Sequence, residues 1–230
     1  MKRRLAKVVI VLVVLLAALA GAFWWFVLRD DAPPEAALPD RTVATTSDDA
    51  EPQSPDGTWT VQTGDDVFVG YRIEEQFAGD TITSTAVGRT AVVSGSLVVT
   101  GTEVTAVDIE ADTTALESDA SRRDGFIRDR GLETTAFPTA SFRLTEPIDL
   151  GGPPELGAVV AATATGELEL HGVAREVQIA VEARWNGDTI DVSGSLPIVL
   201  ADYDIERISI PFVTVAEDGV LELQLTFARA

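Results

Sequence analysis

The sequence predicts an all-β domain, folded as an antiparallel sandwich or barrel and preceded by a single membrane-spanning helix. Three observations support this expectation. Apolar and polar residues alternate along most of the chain after residue 57, glycine-containing turn signals separate the alternating runs, and an uncharged apolar segment lies near the N-terminus. Alternation with a period of two residues turns one face of each strand toward a shared interior. Because no helices alternate with these runs, a parallel sheet is disfavoured.

The N-terminal segment has the composition of a membrane anchor. Residues 8–28 carry no charge, follow a lysine- and arginine-rich start and precede Arg29-Asp30-Asp31. As a helix they span about 31 Å, which matches a bilayer core. The basic end predicts a cytoplasmic N-terminus and an extracytoplasmic C-terminal domain in the cell membrane. The alternative is a cleaved signal peptide with Ala18-Leu19-Ala20 at its cleavage site, but the apolar run is longer than such peptides need.

The segment that follows the anchor has the composition of a linker. Residues 30–56 are rich in proline and acidic residues and contain almost no large apolar side chain. Such a segment does not bury enough surface to offset the entropy lost on ordering. We therefore predict a membrane anchor over residues 1–29, a disordered acidic linker over 30–56 and a folded domain over 57–230.

The β prediction for the folded domain depends on several alternating runs. The clearest hairpin signal is Asn186-Gly187, since both central residues of such a two-residue turn tolerate positive φ. Turn signals spaced about 8–15 residues apart are typical of an all-β sandwich or barrel. In the clearest runs an apolar residue occupies every second position, and these runs are 67–73, 107–111, 177–185 and 221–227.

Residues 118–133 break the alternation. They are highly charged, and Phe126, Ile127 and Leu132 are their only large apolar residues. Ser118 or Ser121 suits a helix N-cap, and the glycines within the segment suit a helix end. We predict a short helix or helical loop that packs on one mouth of the β domain.

Composition excludes several classes of function. The chain has 230 residues, no cysteine and one histidine, which excludes a disulfide scaffold, a thiolate metal site and a multi-histidine centre. Its net charge of −20 disfavours a nucleic-acid partner. No motif supplies a nucleophile beside His171, so we expect the ring of this histidine to form a hydrogen bond with a turn carbonyl. We predict that the protein has no enzymatic activity and binds no metal and no cofactor. A glycan-active enzyme, the alternative, needs two carboxylates in one cleft. Alternation turns two of the three candidate clusters toward solvent, and the clusters are Glu74-Glu75, then Asp108, Glu110 and Asp112, and then Glu167 and Glu169, of which the last two are the solvent-facing ones.

A group of arginines lies within the charged segment at 118–133. The planar guanidinium suits phosphate or carboxylate recognition. Acidic neighbours balance the arginines, so surface ion pairing is the competing interpretation and both alternatives stay open. The arginines are Arg122, Arg123, Arg128 and Arg130, and the acidic neighbours are Asp119, Asp124, Asp129 and Glu133.

Three blocks of the folded domain resemble the YceI-like family. Ser121-Arg122-Arg123-Asp124-Gly125, followed by 132–134 and 137–142, resembles the central block of that family. Residues 166–177 are similar to its signature, in which a histidine, here His171, precedes a Gly-Val pair. Residues 194–205 and 219–223 resemble its C-terminal strands. The resemblance covers residues 57–230 in the family's order.

This resemblance implies an eight-stranded antiparallel, lipocalin-like barrel that lies outside the cytoplasm. It also implies that the barrel holds a long amphiphilic isoprenoid-type lipid, either a polyprenyl compound or an isoprenoid quinone. An eight-stranded barrel is wide enough for one such ligand. The alternative is a barrel filled by its own side chains, which serves as an interaction module for a protein partner. The oligomeric state stays open, and a homodimer is one alternative.

The alternating runs then predict which residues contact the lipid. Arg122, Arg123 and Arg128 are the predicted contacts for the lipid headgroup. The predicted cavity lining consists of the inward-facing residues of the runs together with three residues of neighbouring strands: Val69, Tyr71, Ile73, Val107, Ile109, Phe142, Leu168, Leu170, Val177, Ile179, Val181, Leu223, Leu225 and Phe227.

Overall fold

The computed structural model describes residues 14, 17, 32–41, 54–77, 82–211 and 213–230. The membrane-spanning helix predicted at 8–28 lies outside this part of the chain, except for residues 14 and 17. Within the described ranges, no helix combines the length and the apolar character needed to cross a membrane.

Thirteen antiparallel strands form a single sheet in the part of the chain that the structure describes. Their alternating sequences provide one apolar and one polar face. The strands are β1 (Gly57–Val61), β2 (Phe68–Phe77), β3 (Ile82–Thr90), β4 (Val93–Thr100), β5 (Glu103–Asp112), β6 (Glu117–Ser118), β7 (Thr139–Leu144), β8 (Ile148–Asp149), β9 (Val159–Leu170), β10 (Val173–Trp185), β11 (Thr189–Val199), β12 (Ser209–Ile210) and β13 (Val213–Arg229).

The sheet closes into a barrel because β1 pairs with β4 on one side and with the end of β13 on the other. β2 follows β1 along the same edge of β13, and β3 pairs with β2 as β4 pairs with β1. β1 and β2 therefore act as one long strand, and so do β3 and β4. The order around the barrel is β1/β2, β3/β4, β5, β7, β9, β10, β11 and β13. The predicted eight-stranded antiparallel barrel is confirmed.

Alternation decides which side chains point inward. On β9, Leu168 and Leu170 are buried, whereas Glu167 and Glu169 are exposed. β5 behaves in the same way, with Ile109 buried between exposed acidic neighbours. A register shift of one residue would reverse the two faces, so burial of the apolar face selects this pairing. The predicted hairpin joins β10 and β11, although only its glycine adopts positive φ (100°).

The charged segment forms the predicted short helix, α1 (Ser121–Phe126), which continues as a π-helical turn at Ile127–Gly131. Ala120 occupies the N-cap position without a side-chain cap. Instead, the Asp124 carboxylate accepts hydrogen bonds from the backbone N–H and the hydroxyl of Ser118, at 3.0 and 2.6 Å. This contact fixes the start of the helix against the preceding strand β6.

Gly166 on β9 illustrates how tightly the barrel wall is packed. A Cβ atom at this position would lie 2.4 Å from the Arg143 carbonyl oxygen and 2.5 Å from Cζ of the Phe142 ring. Neither of these atoms belongs to the free end of a flexible side chain. An added methyl group therefore has to displace the backbone of Arg143 or the ring of Phe142.

We expect Gly166→Ala to lower the free energy of unfolding by about 1–3 kcal/mol, the usual cost of overpacking. Denaturant unfolding measures this change. The control is Gly64→Ala, since a Cβ at Gly64 meets no atom within 4 Å. Equal stabilities of the two variants would contradict the packing argument.

Part of the predicted linker packs on the outside of the barrel. Residues 32–41, called the strap below, have no regular secondary structure and run along the outer face of β13. The backbone N–H groups of Ala36 and Ala37 donate to the side chains of Glu222 and Gln224, both at 3.2 Å. For this part of the linker the structure differs from the prediction of disorder.

Arginines of the barrel complete the attachment of the strap. A proline residue has a backbone carbonyl oxygen that accepts a hydrogen bond but no backbone N–H that donates one. The prolines of the strap are therefore suitable acceptors for guanidinium groups. The donors are Arg72, Arg89 and Arg184, and the acceptors are the carbonyl oxygens of Pro33, Pro34 and Pro39. The composition of the linker does not reveal this order, since the partners that hold it belong to distant strands.

Two carboxylates on the outer face are buried beneath the strap. Glu222 is 3 % exposed and Asp191 is 0 % exposed. Asp191 lies 3.0 Å from Nε of Arg41 in the strap and accepts hydrogen bonds from Thr226 and Asn186, both at 2.9 Å. Alternation alone places both carboxylates on the solvent side, and the strap removes them from solvent.

Candidate functional site

The interior of the barrel contains a cavity of about 310 Å³. Its wall is almost entirely apolar and extends from Trp185 and Phe227 at one end to Ile127 and Leu132 of the helical segment at the other. The cavity shows that the protein's own side chains do not completely fill the barrel interior. The space suits a long apolar molecule.

The structure places the residues predicted from alternation on this wall, with one exception. Val177 has the same parity as Ile179 but packs against the buried cluster that includes Leu168 and Ile198 instead of lining the cavity. The predicted residues that do line it are Val69, Tyr71, Ile73, Val107, Ile109, Phe142, Leu168, Leu170, Ile179, Val181, Leu223, Leu225 and Phe227.

Sequence reasoning missed the contributions of β4 and β11 to the wall. On β11, alternation from Ile190 onward carries the signal, but the glycine and proline within the strand weaken it. On β4, a run of adjacent valines hides the period of two. The additional wall residues from these strands are Leu97, Val99, Ile190, Val192, Leu196 and Ile198.

A charged pair forms part of the wall where the helix meets β2. Arg123 of α1 donates from Nε and Nη2 to the two carboxylate oxygens of Glu75, at 2.8 and 2.9 Å. Its Nη1 donates to Asp119 and to the hydroxyl of Ser118. The hydrogen bonds that Arg123 donates to Glu75 raise the pKa of Arg123 above its ordinary value, although partial burial opposes them. The guanidinium is therefore firmly charged and held in a bidentate pair.

Glu75 is a charged residue of the cavity wall whose inward position alternation was able to reveal. It follows Tyr71 and Ile73 with the same parity on β2, which turns its side chain inward, and it is 7 % exposed. A carboxylate buried in this way requires a partner. The partner, Arg123, lies 48 residues further along the chain.

The other two arginines predicted to contact a headgroup lie elsewhere. Arg122 and Arg128 are exposed, and neither lines the cavity. Successive residues of a helix point about 100° apart, so a helix that turns Arg123 inward turns Arg122 outward. Of the three predicted headgroup residues, only Arg123 lies at the cavity wall.

Tyr71 contributes a second polar group to the wall. Its ring lies over Gly88 of β3, where a Cβ atom would come within 2.3 Å of the ring. The hydroxyl is buried and has no hydrogen-bond partner among the described residues. Burial raises the pKa of Tyr71, so the hydroxyl stays neutral.

His171 ties together the loops at the helix end of the barrel. Its Nδ1 lies 3.0 Å from the Tyr203 carbonyl oxygen, and its Nε2 lies 3.1 Å from Oε2 of Glu133. The ring packs edge-on against Phe137, at 4.5 Å between centroids. As predicted, the histidine bonds a carbonyl, but this carbonyl belongs to the loop after β11 and not to its own hairpin. The contact is structural, because it joins three loops.

Comparison with known proteins identifies similar chains. A family model described as YceI-like domain matches residues 59–227. No protein of curated function matches the chain in sequence. Among solved structures, a polyisoprenoid-binding domain from Saccharophagus degradans, implicated in plant cell wall breakdown, is 20 % identical with a TM-score of 0.58, and the match covers 75 % of this chain and 98 % of that one.

Two further solved structures have the same fold. BcnA from Burkholderia cenocepacia is 16 % identical, with a TM-score of 0.50, and the match covers 68 % of this chain and 95 % of that one. The YceI protein from Campylobacter jejuni is 15 % identical, with a TM-score of 0.50, and the match covers 62 % and 84 %. At these identities the similarity establishes the fold.

Proposed function

This chain belongs to the YceI-like family, and from that premise we propose that it binds a long isoprenoid-type lipid, either a polyprenyl compound or an isoprenoid quinone, in the barrel interior. The continuous apolar cavity is the observation that carries the proposal. Each methylene group that leaves water for such a cavity contributes about 0.8 kcal/mol, so an apolar tail binds without polar recognition. The polyisoprenoid-binding domain from Saccharophagus degradans, which has the same fold, supports this assignment.

Two other functions receive less support. An interaction module with a filled core does not require a cavity of this size. A glycan-active enzyme needs two carboxylates that share a cleft and keep different pKa values. Glu75, Asp191 and Glu222 are instead each paired with arginine. We therefore propose a binding protein without enzymatic activity.

We also propose that the N-terminal helix at 8–28 tethers the barrel outside the cytoplasm. The strap supports a short tether, because it attaches to the barrel from Pro33 onward. Residues 29–32 then bridge the membrane and the barrel, a distance of at most about 18 Å for an extended chain. A free linker over 30–56 would instead allow roughly 90 Å. In this arrangement the barrel lies close to the membrane that contains its lipid.

Native mass spectrometry of the full chain, released from membranes in mild detergent, tests the function. We expect a bound species whose extra mass equals an isoprenoid lipid, and uptake of added polyprenol by protein stripped of that lipid. A bare mass together with no uptake of polyprenol would overturn the proposal. The same spectra show whether the chain forms a homodimer.

A further inference from the structure

The two ends of the barrel carry different structures. One end, called the helix mouth below, carries α1 and the π-helical turn that follows it, and the cavity wall reaches this turn at Ile127. The other end, called the hairpin end below, carries the turn at Gly187 between β10 and β11. β13 begins near the helix mouth, where Val215 pairs with Glu75, the residue that bonds α1. Because Phe227 pairs with the start of β11, β13 ends near the hairpin end.

The strap runs in the same direction as β13, toward the hairpin end. Near the start of the strap, the Pro33 carbonyl accepts a hydrogen bond from Arg72 of β2, which pairs with Val220 of β13. At the end of the strap, Arg41 donates to the hydroxyl of Thr226 at 3.1 Å. The first attachment of the strap is therefore the one that lies nearest to the helix mouth.

This first attachment also lies nearer to the helix mouth than to the hairpin end. β2 ends at Phe77, five residues beyond Arg72, which corresponds to about 17 Å along the strand. β13 ends at Arg229, nine residues beyond Val220, which corresponds to about 30 Å. An extended tether of residues 29–32 spans at most about 18 Å. A tether of this length reaches from the first attachment to the helix mouth, but it does not reach the hairpin end.

Three exposed arginines lie on the helical segment at the helix mouth, and they are Arg122, Arg128 and Arg130. Within the part of the chain that the structure describes, none of the three side chains has an ion pair or a hydrogen bond. The other described arginines each donate to a carboxylate or a backbone carbonyl, as Arg175 and Arg207 do at the same mouth. A free guanidinium group suits bidentate contact with the phosphate of a phospholipid headgroup.

The availability of these donors distinguishes the two ends, whereas the presence of negative charge does not. At the hairpin end, Arg229 already donates to the backbone carbonyls of Ser54 and Asp56. Exposed carboxylates are present at both ends, so the helix mouth attracts a membrane through direct contact with phosphate and not through a long-range positive field. These carboxylates include Asp129, Asp204 and Glu206 at the helix mouth, and Glu103, Glu155 and Asp188 at the hairpin end.

We propose that the helix mouth faces the membrane, that Arg122, Arg128 and Arg130 contact phospholipid phosphates there, and that the lipid enters and leaves the barrel through this mouth. This inference rests on the proposed function, both the tether and the lipid binding. In this arrangement the part of the cavity wall formed by Ile127 and Leu132 lies nearest to the bilayer. A lipid then passes between the bilayer and the cavity with the least exposure of its apolar tail to water.

Fluorescence quenching in vesicles tests the orientation, because the chain contains no cysteine and one introduced cysteine carries one label. Ser121→Cys places the label at the helix mouth, Asp188→Cys places it at the hairpin end, and both residues are exposed. The full chain is reconstituted in vesicles of phosphatidylcholine and phosphatidylglycerol that contain a lipid with a nitroxide on its headgroup. We expect at least about threefold stronger quenching at the helix mouth, because strands as long as β10, about 40 Å, separate the two labels.

Three outcomes would contradict different parts of this arrangement. Equal quenching of the two labels, or stronger quenching at the hairpin end, would overturn the inference. Failure of the chain to float with the vesicles would overturn the proposed tether, and the inference with it. Absence of polyprenol uptake by the full chain in detergent would overturn the proposed lipid binding, whatever the orientation.

A longer tether separates the contribution of the three arginines from that of the strap. With about twenty glycine and serine residues inserted after Asp31, the tether is flexible and no longer selects an end. We expect the helix-mouth label to remain about twofold more strongly quenched, because basic residues near the surface attract anionic lipids. Replacing all three arginines with glutamine should then make the quenching equal, whereas the control Arg143→Gln, which removes an arginine paired with Asp108, keeps the preference. Quenching that the triple substitution does not change would show that these arginines do not contact the membrane.

The rate of lipid uptake tests the entrance. The full chain is reconstituted in vesicles that contain decaprenol, a polyprenol of ten isoprene units, and native mass spectrometry after rapid transfer to detergent measures the occupied fraction over time. We expect the chain with the longer tether and the three glutamines to take up decaprenol at least about tenfold more slowly than the parent chain, because the tail then has to cross water. The affinity in detergent should be the same for both chains. Equal rates of uptake would show that the lipid does not pass through the helix mouth.

Discussion

Replacing Val181 with arginine is expected to reduce binding of polyprenol more than tenfold, whereas replacing Glu182 with arginine leaves binding unchanged. The two residues are adjacent on β10, but Val181 lines the cavity and Glu182 is exposed. An arginine at 181 occupies part of the cavity and places a charge where the lipid tail has to pack, and burying that charge without a partner is costly. Uptake of decaprenol, followed by native mass spectrometry, measures the difference.

Val181→Phe separates occupation of the cavity from the effect of charge. The phenyl ring fills space without introducing a charge, so we expect weaker binding with little loss of stability. Thermal unfolding of all three variants verifies that each one folds. If Val181→Arg and Val181→Phe both fold and bind decaprenol like the parent chain, the lipid does not occupy this part of the barrel.

Replacing Asp191 with alanine is expected to lower the free energy of unfolding by about 3–5 kcal/mol, the cost of removing one partner from a buried ion pair. Asp191 is fully buried beneath the strap. It accepts hydrogen bonds from Asn186 and Thr226 and lies 3.0 Å from the Arg41 guanidinium. The substitution removes the buried carboxylate that these three groups share. Denaturant unfolding of the full chain measures the loss.

Two further substitutions separate the contribution of the strap to stability from the contribution of the barrel. Asp188→Ala, which removes an exposed carboxylate from the same hairpin, is the control and should change stability by less than about 0.5 kcal/mol. Arg41→Ala removes only the contact from the strap, and because the arginine is partly exposed, we expect a loss of about 1 kcal/mol. Full stability of Arg41→Ala would show that the contact between Arg41 and Asp191 does not contribute to the fold.

Alternation was sufficient to predict the part of the cavity wall that the clearest runs contribute. Leu223, Leu225 and Phe227 occupy every second position of β13 and line the cavity. The pattern is informative because the side-chain period of a strand is two, so a single long run identifies both faces. Val177 shows the limit of this argument, since parity identifies the inward face but not whether a residue meets the open space or a neighbouring side chain.

The contacts of the charged residues were not predictable in the same way. The sequence shows arginines balanced by acidic neighbours within 118–133, and local ion pairing explained that pattern as well as an anion site did. The decisive partner of Arg123 is Glu75, which lies on another strand. Likewise, the partners of the strap are side chains of β2, β3, β10, β11 and β13, all distant in sequence.

Local sequence pattern is enough to specify that this chain forms strands, which face of each strand is apolar, and where a helical segment interrupts them. Each of these properties depends on residues that are close together in the sequence, so the local periodicity is sufficient to predict it. The tertiary structure alone decided that the closed sheet leaves a cavity, that Arg123 is neutralised from β2, and that the strap covers Asp191 and Glu222. Each of these depends on the register and closure of strands far apart in the chain, which bring together groups that no local pattern connects.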